Sequence, residues 1–215
     1  MSSKDPGKPV PRSVIRRLTE CLAHVRHLRG KGVEWISSQE LADDLGLTSS
    51  TVRQDLSHLD FSGISKRGYR AAGLEQALAG MLGADTVWTM VVVGAGNLGR
   101  ALSLHEQFPR HGFNIVGVFD ADERKVGCRV GSLVVQPMRE LPATVAAAKA
   151  DIGVLAVPAT SAQDVADELV AAGIKGLLNI ALAHISVPPS VPVIDSRIVA
   201  HLQELSHAIK ALDRD

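Results

Sequence analysis

The run Gly94-Ala95-Gly96-Asn97-Leu98-Gly99 sets three glycines at the spacing GxGxxG, whose chemistry is the holding of a pyrophosphate on backbone N–H groups. Gly94 permits a tight turn, Gly96 lets the backbone of Ala95, Asn97 and Leu98 approach phosphate oxygens with no Cβ in the way, and Gly99 lets the following helix pack against the preceding strand. The positive end of that helix favours the anion. A second apolar run, 114–119, ends in Asp120, where a strand-end carboxylate accepts hydrogen bonds from adenosine ribose hydroxyls. The glycine pattern alone is weak. The same residues also make a purely structural turn, and turns of this kind serve NAD(H), coenzyme A and other nucleotides.

A second set of residues suits DNA. Ser49, Ser50, Arg53 and Gln54 fall outside the apolar face that Val52, Leu56 and Leu59 give one short helix. In a major groove, arginine bonds guanine and glutamine bonds adenine bidentately. Ser37 and Ser38 at the start of the preceding helix, with Lys66 and Arg67 in a glycine-bearing loop, suit phosphate oxygens. Ordinary surface charge on a solvated helical bundle is the competing explanation for these same side chains.

Both sets need elements to hold them. Val14, Ile15, Leu18, Leu22, Val25 and Leu28 recur at helical spacing from Arg12 and stop near Gly30 and Gly32. A serine N-cap at 37–38 then opens a short helix with Leu41 and Leu45 inward, and Gly46 turns into a third helix that starts at Thr48 or Ser49 and runs to about Leu59. Two short helices about a glycine turn form a helix-turn-helix, and 60–70 suits a β-hairpin wing. A connecting helix follows over 73–82. Strands at 87–93, 115–119, 132–135, 152–157, 176–180 and 193–194 alternate with helices reaching 108, near 143–150 and over 162–172. Such alternation specifies a parallel sheet covered by helices. A proline-rich linker, 187–192, precedes a last helix from Ser196 to about Leu212, striped by Ile198, Val199, Leu202, Leu205, Ile209 and Leu212.

The sequence therefore reads as a polar arm (1–11), a winged helix (12–82), an α/β Rossmann-like domain (83–192) and a C-terminal helix (193–215). Net charge is zero, but residues 1–70 carry 12 Lys and Arg against 8 Asp and Glu, and the remainder 11 against 15. A basic front and an acidic back suit two tasks. Cys21 and Cys128 are the only cysteines, no apolar stretch reaches membrane-spanning length, and no signal peptide or metal-ligand spacing is present. These features point to a cytoplasmic protein with idle thiols, no membrane contact and no metal.

The combination resembles the Rex family of redox-sensing repressors. The residues that carry the resemblance are Ile36-Ser37-Ser38-Gln39-Glu40-Leu41-Ala42, Val52-Arg53-Gln54-Asp55-Leu56-Ser57, the glycine turn through Leu102, Phe119-Asp120-Ala121-Asp122, Val157-Pro158-Ala159, Gly173-Ile174-Lys175-Gly176-Leu177-Leu178-Asn179 and Leu202-Gln203-Glu204-Leu205-Ser206. The resemblance implies a homodimer whose last helix is exchanged between subunits, whose Rossmann domains bind NAD(H), and which leaves operator DNA when NADH binds. It also implies cofactor contacts from Val157 and Pro158 and a place for His105 near the nicotinamide.

Departures from the family are equally specific. Gln54 stands where the family's recognition helix usually has lysine, and Ser62 where its wing has phenylalanine. His105 replaces a tyrosine. Ala23 and Arg197 occupy the positions of an arginine and an aspartate that form a subunit-crossing switch, and Ile198 that of a neighbouring aromatic residue. The coupling is either rewired, for instance through an exchanged Glu20 to Arg197 pair, or lost. An NAD-dependent oxidoreductase is the rival, but no substrate domain and no acid poised with a partner is evident, so no catalysis is expected.

Overall fold

The computed structural model describes residues 10–212, so positions 1–9 of the expected arm lie outside the described residues. The chain divides into two compact units, Met1–Thr86 and Val87–Asp215.

The first unit comprises α1 (Arg12–Gly30), β1 (Trp35–Ile36), α2 (Ser38–Leu45), α3 (Ser49–Leu56), β2 (Tyr69–Arg70) and α4 (Ala71–Leu82). Val14, Leu18, Cys21, Leu22 and Val25 of α1 meet Leu41 of α2, Val52 and Leu56 of α3, and Leu74 and Leu78 of α4 in one core. At its rim Arg26 and Arg29 of α1 share Glu75 of α4. A capping box starts α2: the Ser37 hydroxyl accepts from the Glu40 N–H at 3.1 Å, and the Glu40 carboxylate accepts from the Ser37 N–H at 2.7 Å. Such a cap is worth about 1 kcal/mol. Gly46, left-handed at φ 65°, ends α2, and the Thr48 hydroxyl caps α3.

Two elements differ from the sequence expectation. Helix α3 ends at Leu56 rather than near Leu59, because the N–H groups of Ser57, His58 and Leu59 bond three residues back and the Ser57 hydroxyl donates to the Gln54 carbonyl at 2.6 Å. The wing is a tight turn closed by a single bridge, Ile64 to Gly68, whose return strand β2 pairs antiparallel with β1. Gly68 sits against the Ile36 carbonyl with no room for a Cβ, at the point where the turn passes into β2.

The second unit runs β3 (Trp88–Val93), α5 (Asn97–Ser103), α6 (Gln107–Arg110), β4 (Phe113–Asp120), β5 (Arg129–Val130), β6 (Leu133–Pro137), α7 (Leu141–Ala148), β7 (Ile152–Leu155), α8 (Ala162–Ala171), β8 (Gly176–Asn179), β9 (Val193–Asp195) and α9 (Ile198–Leu212). The strands order as β5-β6-β4-β3-β7-β8-β9, parallel except for the β5–β6 pair. Without β5 this is the doubly wound Rossmann order, whose direction reverses between β3 and β7 and opens a crevice at the strands' carboxyl ends. Leu141, Val145, Val165 and Leu169 cover one face of the sheet, and Leu102 and Phe108 pack on the other. The helix expected to reach Phe108 breaks after Ser103. The His105 N–H turns to the Leu102 carbonyl three residues back, and the chain restarts at Gln107, which puts Pro109 in a first turn, where its missing N–H has no helical partner anyway. Helix α9 starts at Ile198 rather than Ser196, because the Ser196 N–H extends the sheet by donating to the Asn179 carbonyl at 2.8 Å. Among the described residues no helix is long and apolar enough to cross a membrane.

The two thiols occupy opposite environments. Burial, with a smaller contribution from the Asp55 charge, pushes the Cys21 thiol up to about 12, so it stays protonated at neutral pH, whereas Cys128 is exposed. An alkylating reagent on native protein should therefore modify Cys128 and spare Cys21 until denaturant is added. Peptide mass spectrometry showing equal native labelling of both would contradict this.

Candidate functional site

The glycine turn follows β3 at the crevice. The Gly94 N–H donates to the Phe119 carbonyl at 2.7 Å, and with φ at 105° the residue adopts a conformation that favours glycine. A Cβ there would also overlap the Ala156 carbonyl. A Cβ on Gly99 would overlap the Gly94 carbonyl, so the start of α5 lies directly on the turn. Gly96 differs from both. No protein atom lies within 4 Å of where its Cβ would stand, and no side chain caps the first turn of α5. Two glycines thus shape the turn and the third leaves its approach open, the division of labour a pyrophosphate cradle requires.

Asp120, at the end of β4, is 8% exposed and engaged on both oxygens. Its Oδ2 accepts from the Ala95 N–H at 2.7 Å and from Lys125 Nζ at 2.9 Å, and its Oδ1 accepts from the Asp122 N–H at 2.8 Å. Burial pushes the carboxyl up, but these hydrogen bonds outweigh it and hold the group below the ordinary aspartate range. Asp120 is therefore a staple of the glycine turn as well as a strand-end acceptor, with capacity on Oδ1 for a further donor. Lys125, which the sequence reading did not single out, supplies a counter-charge. Beside it, the Arg124 side chain and N–H lower Asp122 to about 2.

Val157 and Pro158 follow β7. A Val157 methyl lies 3.1 Å from where a Gly94 Cβ would stand, so the structure brings Val157 to the glycine turn. His105 lies beyond the far end of α5, in the turn before α6, where its ring stacks on Phe108 at 4.9 Å and its Nδ1 accepts from the Gln107 N–H at 3.2 Å. Seven helical residues, about 10 Å of helix, separate it from Gly96.

In the first unit, α3 presents Arg53 and Gln54 to solvent on the side away from Val52 and Leu56. Arg53 Nη1 reaches Ser38 Oγ at 3.4 Å, which joins the last turn of α3 to the start of α2. Ser50 Oγ lies 2.8 Å from Thr48 Oγ1, and Ser49 is half-buried. The Ser37 hydroxyl uses an oxygen lone pair as a cap, which leaves its O–H to donate. In the wing turn Lys66 is exposed at φ 63°, a strained conformation for a non-glycine residue, and the Arg67 guanidinium lies 4.0 Å over the Trp35 ring. The sequence reading missed Trp35, and it missed Asp55, buried between the reading side chains and the core.

The comparisons with known proteins cover both units. A family model described as "CoA binding domain" matches residues 85–183, and one described as "Putative DNA-binding protein N-terminus" matches 9–57. A redox-sensing transcriptional repressor Rex from Carboxydothermus hydrogenoformans is 39% identical, the match covering 95% of this chain and 98% of that protein. The chain belongs to the Rex family. Rex 1 of Thermotoga maritima is 41% identical over 94% of this chain and 97% of its own. A crystal structure of RSP with β-NAD+ and operator DNA has a TM-score of 0.90 at 33% identity, covering 96% of this chain and 95% of that one. RSP with β-NADH gives 0.87 at the same identity, over 96% and 97%.

The positions that the resemblance assigned to a switch have definite places. Ala23 is exposed on α1, and Ile198 opens α9 with 57% of its surface exposed. Within the chain, Glu20 pairs with Arg16 at 3.4 Å and Arg197 Nη2 donates to Asp195 Oδ2 at 3.3 Å. Asp195 Oδ1 in turn accepts from Asn179 Nδ2 at 2.7 Å, so Arg197 is tied through Asp195 to the carboxyl end of β8.

Proposed function

We propose that this chain is a DNA-binding transcriptional repressor that senses the NADH/NAD+ ratio, and that NADH binding releases it from operator DNA. What carries the reading is the likeness along both units, at a TM-score of 0.90, to a repressor holding NAD+ and operator DNA together. In this reading the backbone from Gly94 to Gly99 holds the pyrophosphate, Asp120 Oδ1 accepts from the adenosine ribose, and Val157, Pro158 and His105 line the nicotinamide half. The bound dinucleotide supplies a nicotinamide ring whose charge and hydrogen count change with redox state. The DNA contacts are Arg53 and Gln54 on bases, with Ser49 and Ser50 beside them in the groove, and Ser37, Ser38, Lys66 and Arg67 on the backbone. The protein acts as a homodimer, with the last helix exchanged between subunits. We read it as a binding protein rather than a catalyst.

A ligand shifts an equilibrium only by its differential affinity for the two states, so the coupling must use residues other than the family's arginine and aspartate. Ala23 carries no charge and Arg197 carries the opposite one. The deciding experiment is a duplex-binding titration with NAD+, NADH, NADPH and coenzyme A added separately. NADH is expected to weaken DNA binding at lower concentration than NAD+. NADPH is expected to bind more weakly than NADH by calorimetry, because the Asp120 carboxylate opposes a 2′-phosphate while Lys125 offsets only part of that repulsion. Equal calorimetric affinity would remove the role given to Asp120. No response of DNA binding to either redox form would leave a Rex repressor without redox sensing, and a response to coenzyme A alone would replace the cofactor.

A further inference from the structure

Helix α3 is held to its core by Val52 and Leu56, and apolar contacts of that kind have no direction. They fix how far α3 stands from α1 but only loosely how it is rotated. Rotation matters for reading bases. On a helix about 10–12 Å across, a turn of about 20° moves side-chain ends by roughly 2 Å, more than a hydrogen bond tolerates.

One residue on the buried side of α3 is not apolar. Asp55 directly follows Gln54 and is 4% exposed. Arg17 of α1 meets it side-on, with Nε 2.5 Å from Oδ2 and Nη2 2.7 Å from Oδ1. The pair lines one small cavity together with Leu18, Cys21, Leu45, Leu47, Val52 and Leu56. Two parallel hydrogen bonds from a planar fork set orientation as well as distance, which the apolar contacts of Val52 and Leu56 do not, and they are shorter than the single 3.4 Å bond from Arg53 to Ser38. The carboxylate is buried while the Arg17 side chain stays partly exposed, and the water that Asp55 gives up offsets much of what the pairing gains, so stability alone does not account for it.

We propose that Arg17 and Asp55 are positioning residues for DNA reading. The fork sets the rotation of α3, so discrimination between DNA sequences depends on it more than affinity for duplex DNA in general does. The inference rests on the DNA-binding reading above and goes beyond it.

The test begins by letting the unaltered full-length protein select duplexes from a pool with a randomised core. The ratio of affinities for a selected and a scrambled duplex is then measured at one salt concentration. The Arg17→Met, Asp55→Leu double variant replaces the pair with apolar side chains and leaves no unpaired charge. It is expected to melt cooperatively and to hold the scrambled duplex within about threefold of the unaltered protein, while the ratio falls by roughly tenfold or more, as when one bidentate base contact is lost. Damage to the fold alone lowers the active fraction and weakens both duplexes by the same factor. A folded double variant with an unchanged ratio overturns the proposal, as does an equal loss on both duplexes. Arg17→Lys, which keeps the charge without the fork, is the second variant and should lower the ratio by a smaller factor; an unaltered ratio there also counts against the proposal. Failure of the unaltered protein to enrich any sequence sinks instead the DNA reading beneath it.

Discussion

Replacing Gly99 with alanine is expected to abolish dinucleotide binding and to lower the melting temperature of the full chain. The added Cβ would overlap the carbonyl oxygen of Gly94 and lie 3.3 Å from the Ala156 Cβ. Gly94 has no room to yield, since its own α-carbon faces the Ala156 carbonyl and its φ is 105°. Helix α5 must therefore lift from the turn, an overpacking cost of about 1–3 kcal/mol, and the backbone donors lose their aim. NADH affinity should fall by at least about 100-fold, since the turn supplies most of the pyrophosphate contacts. Gly96→Ala is the informative comparison. With no protein atom within 4 Å of the new methyl, it should melt like the unaltered chain and yet bind NADH much more weakly, because the methyl stands where the pyrophosphate approaches. Calorimetry and thermal melting read both variants. Unchanged NADH affinity in Gly96→Ala would mean that the cradle is placed wrongly.

What could be seen in the sequence followed from how local its physical causes are. The helical repeat from Val14 to Leu28, the Ser37 to Glu40 capping box and the three glycine spacings each need only a few neighbouring residues, and each stands where the pattern places it. Elements that depend on distant partners were harder to read. The wing's return strand depends on Ile36, 32 positions before Gly68, and β5 exists because Arg129 and Val130 fold back on Val134 and Leu133. Within the sites, Asp120 was legible as a strand-end carboxylate, but its bonds to Ala95 and Lys125 depend on the turn's three-dimensional shape. Asp55 did leave a signal. It lies three residues after Val52 and directly before Leu56, on an apolar stripe where an ionised side chain must find a partner, and the partner, Arg17, lies 38 residues away.

The last helix makes the second large prediction. Ile198, Val199, Leu202, Leu205, Ile209 and Leu212 are 51–76% exposed along one stripe, and α9 has no buried residue among its 15. A helix of that length is marginal in water on its own, so its stripe has to be covered for it to persist. Each such side chain contributes about 1.5–3 kcal/mol when fully buried, and six of them are enough to hold two subunits together. Ending the chain after Arg197 removes the stripe while keeping the Asn179 to Asp195 staple and the sheet edge intact. The shortened chain is expected to run as a monomer or to aggregate in light scattering, because the surface that the partner's stripe should cover stays exposed. Leu202→Glu with Leu205→Glu should do the same without deleting backbone, by placing two charges on the stripe that the proposed exchange would bury. Operator affinity should fall with the dimer, since paired half-sites are read by two winged helices at once. A soluble dimer from either variant, with unaltered DNA affinity, would show that α9 is not the subunit contact.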